Sequence, residues 1–273
     1  MTIYESSSGN TAKALAMIAA AKGYKFVAIV DRHAPANKLN AIKAYGGELY
    51  FCAENENEEG GHLVDKRRAA AKKLAGENGG INLDQYDNPE NPLGFYRTLG
   101  KEIVEQVPDT DYLVGTIGTG SSLTGAGRYV KEQTNARVIA LEPKGSSHFS
   151  PHGHGYFISG PGYPQGAVPP KNIDKSVIDI NDYVSDEEAF NTMRFFARHK
   201  GLLFGDSGGM VLYYAMKFIK SRKTDNSGKI KKMVLIIGDS GESYLSHAYN
   251  ETWMIENKLI NPGITEELDA FYL

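Results

Sequence analysis

The sequence predicts an α/β fold in which doubly wound, mostly parallel sheets carry helices on both faces. Three observations support this prediction. Short apolar runs rich in β-branched residues alternate with longer segments of helical periodicity. The connections between them are short, and glycine-rich turns follow several of the apolar runs. Such alternation is typical of β-α-β units, whose strands run parallel.

The elements of the first half follow one another with clear boundaries. The first helix is rich in alanine and is followed by Gly23, a common C-terminal stop, and Gly46-Gly47 ends the second helix. In chain order we predict helix 11–22, strand 26–30, helix 36–45, strand 48–52, helix 62–74, strand 81–86, helix 95–107, strand 112–117, helix 122–133 and strand 136–141.

The alternation stops between Lys144 and Lys175. This segment holds six Gly, five Pro and three His, and it is too long for an ordinary connection, so we expect a functional or mobile loop. Periodicity then returns, and we predict strand 176–184, helices 187–199 and 208–220, and strand 232–237. The residues after Thr252 give no clear pattern.

Composition and charge limit the possible partners. The net charge of −3 gives no electrostatic reason to expect nucleic acid or an acidic membrane surface as partner. No apolar run approaches the roughly 20 residues of a membrane helix, and the N-terminus lacks a signal pattern. Cys52 is the only cysteine, which excludes an internal disulfide and fits a reducing compartment. We therefore expect a cytoplasmic protein.

Turns rich in glycine and hydroxyl side chains are the candidate binding sites. Residues 6–11 open a helix, whose N–H groups suit an anion such as a carboxylate, although ordinary helix capping explains the same residues. Residues 118–125 follow an apolar strand, and their glycines would let the backbone approach a phosphate. Residues 237–244, with Asp239 and Ser240, are equally consistent with a capped turn.

Two other kinds of site compete with this interpretation. Gly118, Gly120 and Gly125, with Glu142 at the end of the next strand, loosely imitate a dinucleotide fingerprint, so an NAD-type oxidoreductase is an alternative. The glycine spacing differs from that fingerprint, and the turns at 6–11 and 237–244 stay unexplained.

A metal site is the other competitor. The three clustered histidines His148, His152 and His154 could bind a metal, but no carboxylate or cysteine grouping completes such a site, and we predict none. Cys52 lies within a strand pattern and is best explained as a small buried hydrophobic residue.

The order of the turns resembles that in the cysteine synthase and cystathionine β-synthase family of pyridoxal phosphate (PLP) enzymes. Residues 7–12 are similar to the T-S-G-N-T-G loop of that family, residues 118–122 to its G-T-G-G-T phosphate loop, and residues 238–244 to its P-[DS]-S-G-E-R-Y segment. Residues 85–92, 124–129 and 205–209 also resemble family segments, so the likeness runs to about Ser246. The opening residues are similar to the branch that makes 2,3-diaminopropionate.

The resemblance implies a role for each matching residue. The cofactor phosphate would be held by Gly118, Thr119, Gly120, Ser121 and Ser122. The amino-acid carboxylate would be bound by Ser7, Ser8, Thr11 and Gln85. Asn10 would hydrogen-bond the ring hydroxyl of the cofactor, and Ser240 would face its pyridine nitrogen. A neutral serine there makes the ring a weaker electron sink, which suits loss of a β-substituent.

The family's Schiff-base lysine has no counterpart in these residues. The resemblance implies an S-x-K-D-R-like segment a few dozen residues before the Ser-Gly-Asn-Thr loop, but only six residues precede Ser7. The nearest lysine, Lys13, lies in the following helix and should point off the cofactor face. We therefore expect weak or no PLP binding and no catalysis by this chain alone. It would be a fragment, half of a split enzyme or a natural non-catalytic homologue.

Taken together, the resemblance implies PLP fold type II, similar to the tryptophan synthase β-chain and incomplete at its N-terminus. We expect a smaller substrate-loop domain at 1–91, a larger PLP domain at 92–273, and an exposed sheet edge or unfilled core face in the latter.

The implied activity is β-replacement or β-elimination on an O-activated serine, and the alternative is a non-catalytic ligand-binding or regulatory homologue. The implied partners are a small amino-acid substrate and a second copy of the chain, or a chain that supplies the missing segment. Residues 160–170 depart from the family's active-site segment, which leaves the second substrate open.

Overall fold

The computed structural model describes residues 1–32, 34, 36–52, 62–222 and 232–272. The chain folds into two compact units. The first comprises residues 1–88 and 166–171, and the second comprises residues 89–165 and 172–273. Each unit is built on a four-stranded sheet in which all strand pairs are parallel. The predicted α/β class is therefore confirmed.

The first unit has the strand order β3-β2-β1-β4. Its elements are β1 (Thr2–Ser6), α1 (Asn10–Lys22), β2 (Lys25–Val30), α2 (Ala36–Ala44), β3 (Glu48–Phe51), α3 (Leu63–Glu77) and β4 (Ile81–Asn82). One apolar cluster packs α1 and α2 on the sheet, and another packs α3 on the sheet. Residues 166–171 join this unit because Val168 N donates to Asp65 and Lys171 N donates to Asp87.

Two features of the first sheet differ from the prediction. The interior strand β1 is absent from the prediction, because only a few residues precede the Ser-rich turn and so short a run shows no clear period. The strand predicted at 81–86 is confined to Ile81–Asn82, because Asp84 adopts a left-handed φ of 48° and turns the chain away.

The second unit has the strand order β7-β6-β5-β8. Its strands are β5 (Tyr112–Thr116), β6 (Arg137–Pro143), β7 (Ile180–Val184) and β8 (Met233–Leu235). Its helices are α4 (Glu90–Phe95), α5 (Lys101–Gln106), α6 (Ser121–Gln133), α7 (Asp186–Lys200), α8 (Asp206–Arg222), α9 (Glu251–Glu256) and α10 (Pro262–Tyr272). Among the described strands β8 forms one edge of this sheet, and all three of its residues are half-buried.

Several helix and strand boundaries in the second unit differ from those predicted from the sequence. The helix predicted at 95–107 begins at Glu90 and includes a π-helical turn at Tyr96–Gly100 between α4 and α5. The strand predicted at 176–184 begins only at Ile180, because Lys175–Val177 forms a 3₁₀ turn whose N-terminus the Asp174 side chain caps. Strand 232–237 is shortened to β8, and the segment 144–174 contains neither helix nor strand, as expected for the irregular segment.

The C-terminal residues, which gave no sequence pattern, form α9 and α10. Met254 of α9 and the α10 residues Ile264 and Leu268 are buried in the same hydrophobic core as Phe190 and Met193 of α7. A second apolar cluster lies between α6 and the sheet. Within the described parts of the chain, no helix is long and apolar enough to cross a membrane.

Candidate functional site

The turn after β1 is organised around the Ser7 hydroxyl. Ser7 is buried, and its Oγ accepts the N–H groups of Gly9 at 3.2 Å and Ala12 at 3.3 Å. The Ser7 hydroxyl therefore caps the start of α1, as the capping interpretation of the sequence expects. Ser8 and Thr11 are half-buried, and Asn10, the first residue of α1, is exposed.

Gln85 joins this turn from the segment that follows β4. Its Nε2 donates to the Ser6 carbonyl at 2.8 Å, and its Oε1 accepts the Thr11 hydroxyl at 2.8 Å. Because β1 and β4 are parallel neighbours, their carboxyl ends lie at the same edge of the sheet. Of the predicted carboxylate-binding residues, the structure thus brings Ser7, Thr11 and Gln85 together.

Glu5 lies in β1, two residues before Ser7 and the turn. The sequence did not identify it as a site residue. Its side chain is almost fully buried and accepts the N–H of Ser6 at 3.0 Å. Burial raises the pKa of Glu5 to about 7, and the nearby charge of Asp84 adds to the rise, whereas backbone hydrogen bonds oppose it. An acidic residue inside an apolar strand was the available signal, but it depended on recognising β1.

The glycine-rich turn between β5 and α6 has the features of a phosphate cradle. Gly120 gives α6 no capping side chain, and among the described residues only Thr119 Oγ1 reaches the first turn, where it accepts the Ser121 N–H at 3.5 Å. The N–H groups of the next residues in that turn point to where an anion can bind. Gly120 precedes the helix with a φ of 87°, which a residue with a Cβ rarely adopts. A Cβ on Gly118 would lie 2.7 Å from the Gly160 carbonyl oxygen, so that glycine is required by close packing. These residues fit a phosphate ester.

The hydroxyl groups of the cradle divide into two kinds. Ser121 is buried, and its Oγ accepts the Asn172 amide at 3.2 Å, so this hydroxyl supports the turn from behind. Thr119 and Ser122 are half-buried at the surface of the turn, and the Thr119 hydroxyl makes long hydrogen bonds to Ser121, with its Oγ at 3.4 Å and its N–H at 3.5 Å. Sequence reasoning missed Asn172 because it lies fifty residues away in the irregular segment, where no periodicity marks it.

His148 belongs to the second unit and supports the phosphate cradle. Its ring is hydrogen-bonded to the backbone of Gly118 and stacks on Tyr163, with a centroid distance of 5.0 Å. Burial lowers the pKa of His148 to about 4, and the charge of Lys175 contributes to the lowering. The imidazole is therefore neutral in the folded protein at physiological pH.

This burial makes a prediction about acid stability. Above pH 6.5 His148 is neutral in both states, but between pH 6.5 and about 4 only the unfolded chain gains the proton. Over that range we expect wild type to lose about 3 kcal/mol more unfolding free energy than His148→Gln. Urea denaturation at pH 7 and pH 4 measures the difference, with exposed His152→Gln as matched control. Equal losses in wild type and His148→Gln would contradict the assignment.

The Ser240 turn lies at the end of β8. Ser240 is exposed and forms an antiparallel bridge with Phe204, while Asp239 accepts the Tyr244 hydroxyl at 2.7 Å. Since β5 and β8 are adjacent and parallel, the Ser240 turn and the phosphate cradle lie at the same edge of the second sheet. Gly205, in the fourth turn, packs against Asp239, because a Cβ there would lie 1.9 Å from the carboxylate.

Glu142, the acidic residue of the dinucleotide alternative, lies at the end of β6 and is engaged in hydrogen bonds. It is fully buried, and its carboxylate accepts the Ser146 hydroxyl, the N–H of His148 at 3.1 Å and the Asn181 amide at 3.1 Å. The first two contacts tie the irregular segment to β6, and the third joins β7 to β6. A carboxylate engaged in this way is not available to the hydroxyl groups of a ribose.

The histidines of the irregular segment do not assemble into a metal site in the structure. Among the described residues, no group of three or more His, Cys, Asp or Glu is arranged to hold a metal ion. His148 instead packs on the phosphate cradle. Cys52 is half-buried and packs with Ala71 and Ala75 on the α3 side of the first sheet.

Comparisons with known proteins agree with these features. The family model described as pyridoxal-phosphate dependent enzyme matches residues 1–239. A putative cysteine synthase of Sinorhizobium fredii is 40% identical over 272 residues, which cover 99% of this chain and 79% of the relative. A cystathionine β-synthase of Apis mellifera is 34% identical over 99% of this chain, which spans 53% of that relative. The crystal structure of O-ureido-L-serine synthase matches with a TM-score of 0.78 at 30% identity, covering 90% of this chain and 74% of that one.

Proposed function

The chain belongs to the family of pyridoxal-phosphate dependent enzymes, in its cysteine synthase-like branch, and we propose that it binds the cofactor and substrate of a β-replacement or β-elimination on an O-activated serine. The cofactor is pyridoxal 5′-phosphate. The observation that carries the proposal is the glycine-rich turn between β5 and α6, which lies at the same sheet edge as the Ser240 turn after β8. When bound, PLP supplies an electron sink for bonds at the substrate's α- and β-carbons.

The second unit would hold the cofactor. The backbone N–H groups at the start of α6, with the Thr119 and Ser122 hydroxyls, would bind its phosphate, and Ser121 would keep the turn in shape through Asn172. The Ser240 hydroxyl would contact the pyridine nitrogen. Because a serine carries no charge, it would leave that nitrogen unprotonated, which favours loss of a β-substituent over other reactions of the amino acid.

The first unit would bind the amino acid. Ser8, Thr11 and the N-terminal N–H groups of α1 would receive its carboxylate, while Ser7 would hold the turn closed and Gln85 would orient the Thr11 hydroxyl. Asn10 would contact the ring hydroxyl of the cofactor. The family resemblance suggests Ser8, Thr11 and Asn10 for these contacts. It also assigns Ser7 and Gln85 to the carboxylate, but their hydrogen bonds within the turn favour supporting roles for these two residues.

We further propose that these 273 residues bind PLP reversibly and do not complete the reaction by themselves. Their first described lysine after the carboxylate turn, Lys13, is exposed on α1, and the resemblance assigns no other lysine to the covalent attachment of the cofactor. Binding would then depend on the phosphate. The chain would then hold PLP without a covalent bond to a lysine.

Cofactor addition to the purified chain tests both proposals. We expect PLP to raise the melting temperature by a few degrees and pyridoxal, which lacks the phosphate, to have little effect. Borohydride reduction and mass spectrometry should find no lysine bearing the cofactor, and O-acetylserine should not be turned over. A labelled lysine together with turnover would contradict the second proposal. Protection by NADH, with none by PLP, would contradict the first.

A further inference from the structure

Glu5 is a buried carboxyl group to which the proposed function gives no role. It is the fourth residue of β1 and only 1% exposed. Its Oε1 accepts the N–H of Ser6 at 3.0 Å and that of Gln85 at 3.5 Å. Its Oε2 is buried and has no hydrogen-bond partner among the described residues. An oxygen in this position is costly to leave ionised.

The contacts of Glu5 lead directly to the carboxylate turn. Both of its backbone partners, Ser6 and Gln85, are joined to each other by the Gln85 Nε2 to Ser6 carbonyl hydrogen bond. Gln85 also holds the hydroxyl of Thr11. Glu5 therefore supports the turn through Ser6 and Gln85, and two hydrogen bonds lead from Glu5 through Gln85 to the Thr11 hydroxyl, which would meet the substrate.

The charged and titratable groups that act on Glu5 follow β4. Asp84 acts on Glu5 directly, and Tyr86 interacts with Glu5 and also with Arg67 and Arg68 of α3. The two arginines are engaged in ion pairs, Arg67 with Asp31 and Arg68 with Asp87, so they do not act as direct partners of Glu5. The nearest charge on α1, Lys13, is exposed.

Ionised Glu5 would oppose an anion bound at the turn. It would place a negative charge beneath the N–H groups that are proposed to receive a carboxylate, and Asp84 already contributes another. Protonated Glu5 removes that repulsion. By linkage, binding of a carboxylate and binding of a proton to Glu5 must then favour each other to the same extent.

We propose that Glu5 is a positioning residue of the carboxylate turn, and that this turn binds a carboxylate most tightly when Glu5 carries a proton. The inference rests on the proposed function, which assigns the substrate carboxylate to residues 7–11. Binding of the amino acid would then be accompanied by proton uptake at neutral pH. The burial of Glu5, with a pKa near 7, puts this exchange in the physiological range.

The test measures binding by the full chain saturated with PLP, using isothermal titration calorimetry at half-unit steps from pH 6 to pH 8.5. The probe is 3-hydroxypropanoate, which has a carboxylate but no amino group to titrate, and L-serine is the second probe. In wild type we expect binding about tenfold tighter at pH 6, the effect of a like-charge interaction of about one pKa unit. Glu5→Gln keeps an acceptor for the Ser6 N–H, and its affinity for the probe should differ less than twofold between pH 6 and pH 8.5.

A second variant guards against misfolding of the first. Asparagine at position 84 tolerates the left-handed backbone, and Asp84→Asn removes a charge that adds to the effect of burial in raising the pKa of Glu5. It should therefore shift the loss of affinity to lower pH. Equal affinity at pH 6 and pH 8.5 in wild type, or an unchanged midpoint in Asp84→Asn, would overturn the role of Glu5 and leave the proposed function standing. No binding of either probe at any of these pH values would overturn both.

Discussion

Replacing Gly120 by alanine is expected to lower PLP affinity at least tenfold and to destabilise the second unit by about 3 kcal/mol. Gly120 has a φ of 87°, in the left-handed region that costs an L-residue about 1 kcal/mol or more. A Cβ there would lie 2.3 Å from Ile173 Cγ1 and 3.0 Å from Ile173 Cα. A rotation of the Ile173 side chain cannot remove the contact with its Cα, so the backbone must shift. Overpacking of this kind costs about 1–3 kcal/mol.

The strain would be relieved by moving the turn, and that is why affinity should fall with stability. The N–H groups at the start of α6 would no longer converge on one anion. Urea denaturation gives the loss of stability, and displacement of PLP followed by its absorbance gives the affinity. Gly155→Ala is the matched control, because a Cβ at Gly155 has no neighbour within 4 Å. If Gly120→Ala binds PLP as tightly as Gly155→Ala does, the cradle is not the phosphate site.

Replacing Glu5 by glutamine is expected to raise the free energy of unfolding by about 3 kcal/mol at pH 8 and to change it little at pH 4. Burial raises the pKa of Glu5 from 4.5 to about 7. As the pH rises from 4.5 to about 7, the unfolded chain loses this proton first and gains stability relative to the folded protein. The unfolding free energy of wild type therefore falls over that interval and stays lower at higher pH. Glutamine has no proton to lose, so Glu5→Gln avoids this fall.

Chemical denaturation at pH 4, 6 and 8 measures this difference. Glu77→Gln is the control, because Glu77 is exposed and forms only a surface ion pair with Lys73, worth less than about 1 kcal/mol. A Glu5→Gln variant that is less stable than wild type at pH 8 would mean that ionised Glu5 stabilises the fold, contrary to the burial argument.

Local sequence identified most of the elements and all of the turns of the candidate site. Strands such as 112–117 and 136–141 are continuous apolar runs because both faces of a parallel sheet are covered by helices. Glycine and hydroxyl residues mark the turns for a local reason as well, since a left-handed φ or an open helix start restricts the residue type at one position. Patterns of this kind depend on neighbours in the chain, so the sequence alone determined the α/β class and the candidate cofactor turn.

Tertiary structure decided what holds those turns in place. Asn172 supports Ser121 and His148 supports Gly118 from an irregular segment without periodicity, and Glu5 supports Gln85 across the strands β1 and β4. Residues of the same types are common on protein surfaces, where they have no such role. Only burial distinguishes them, because removal from water raises the pKa of Glu5, lowers that of His148 and makes each hydrogen bond costly to lose. Burial depends on contacts between distant parts of the chain, which no local pattern records.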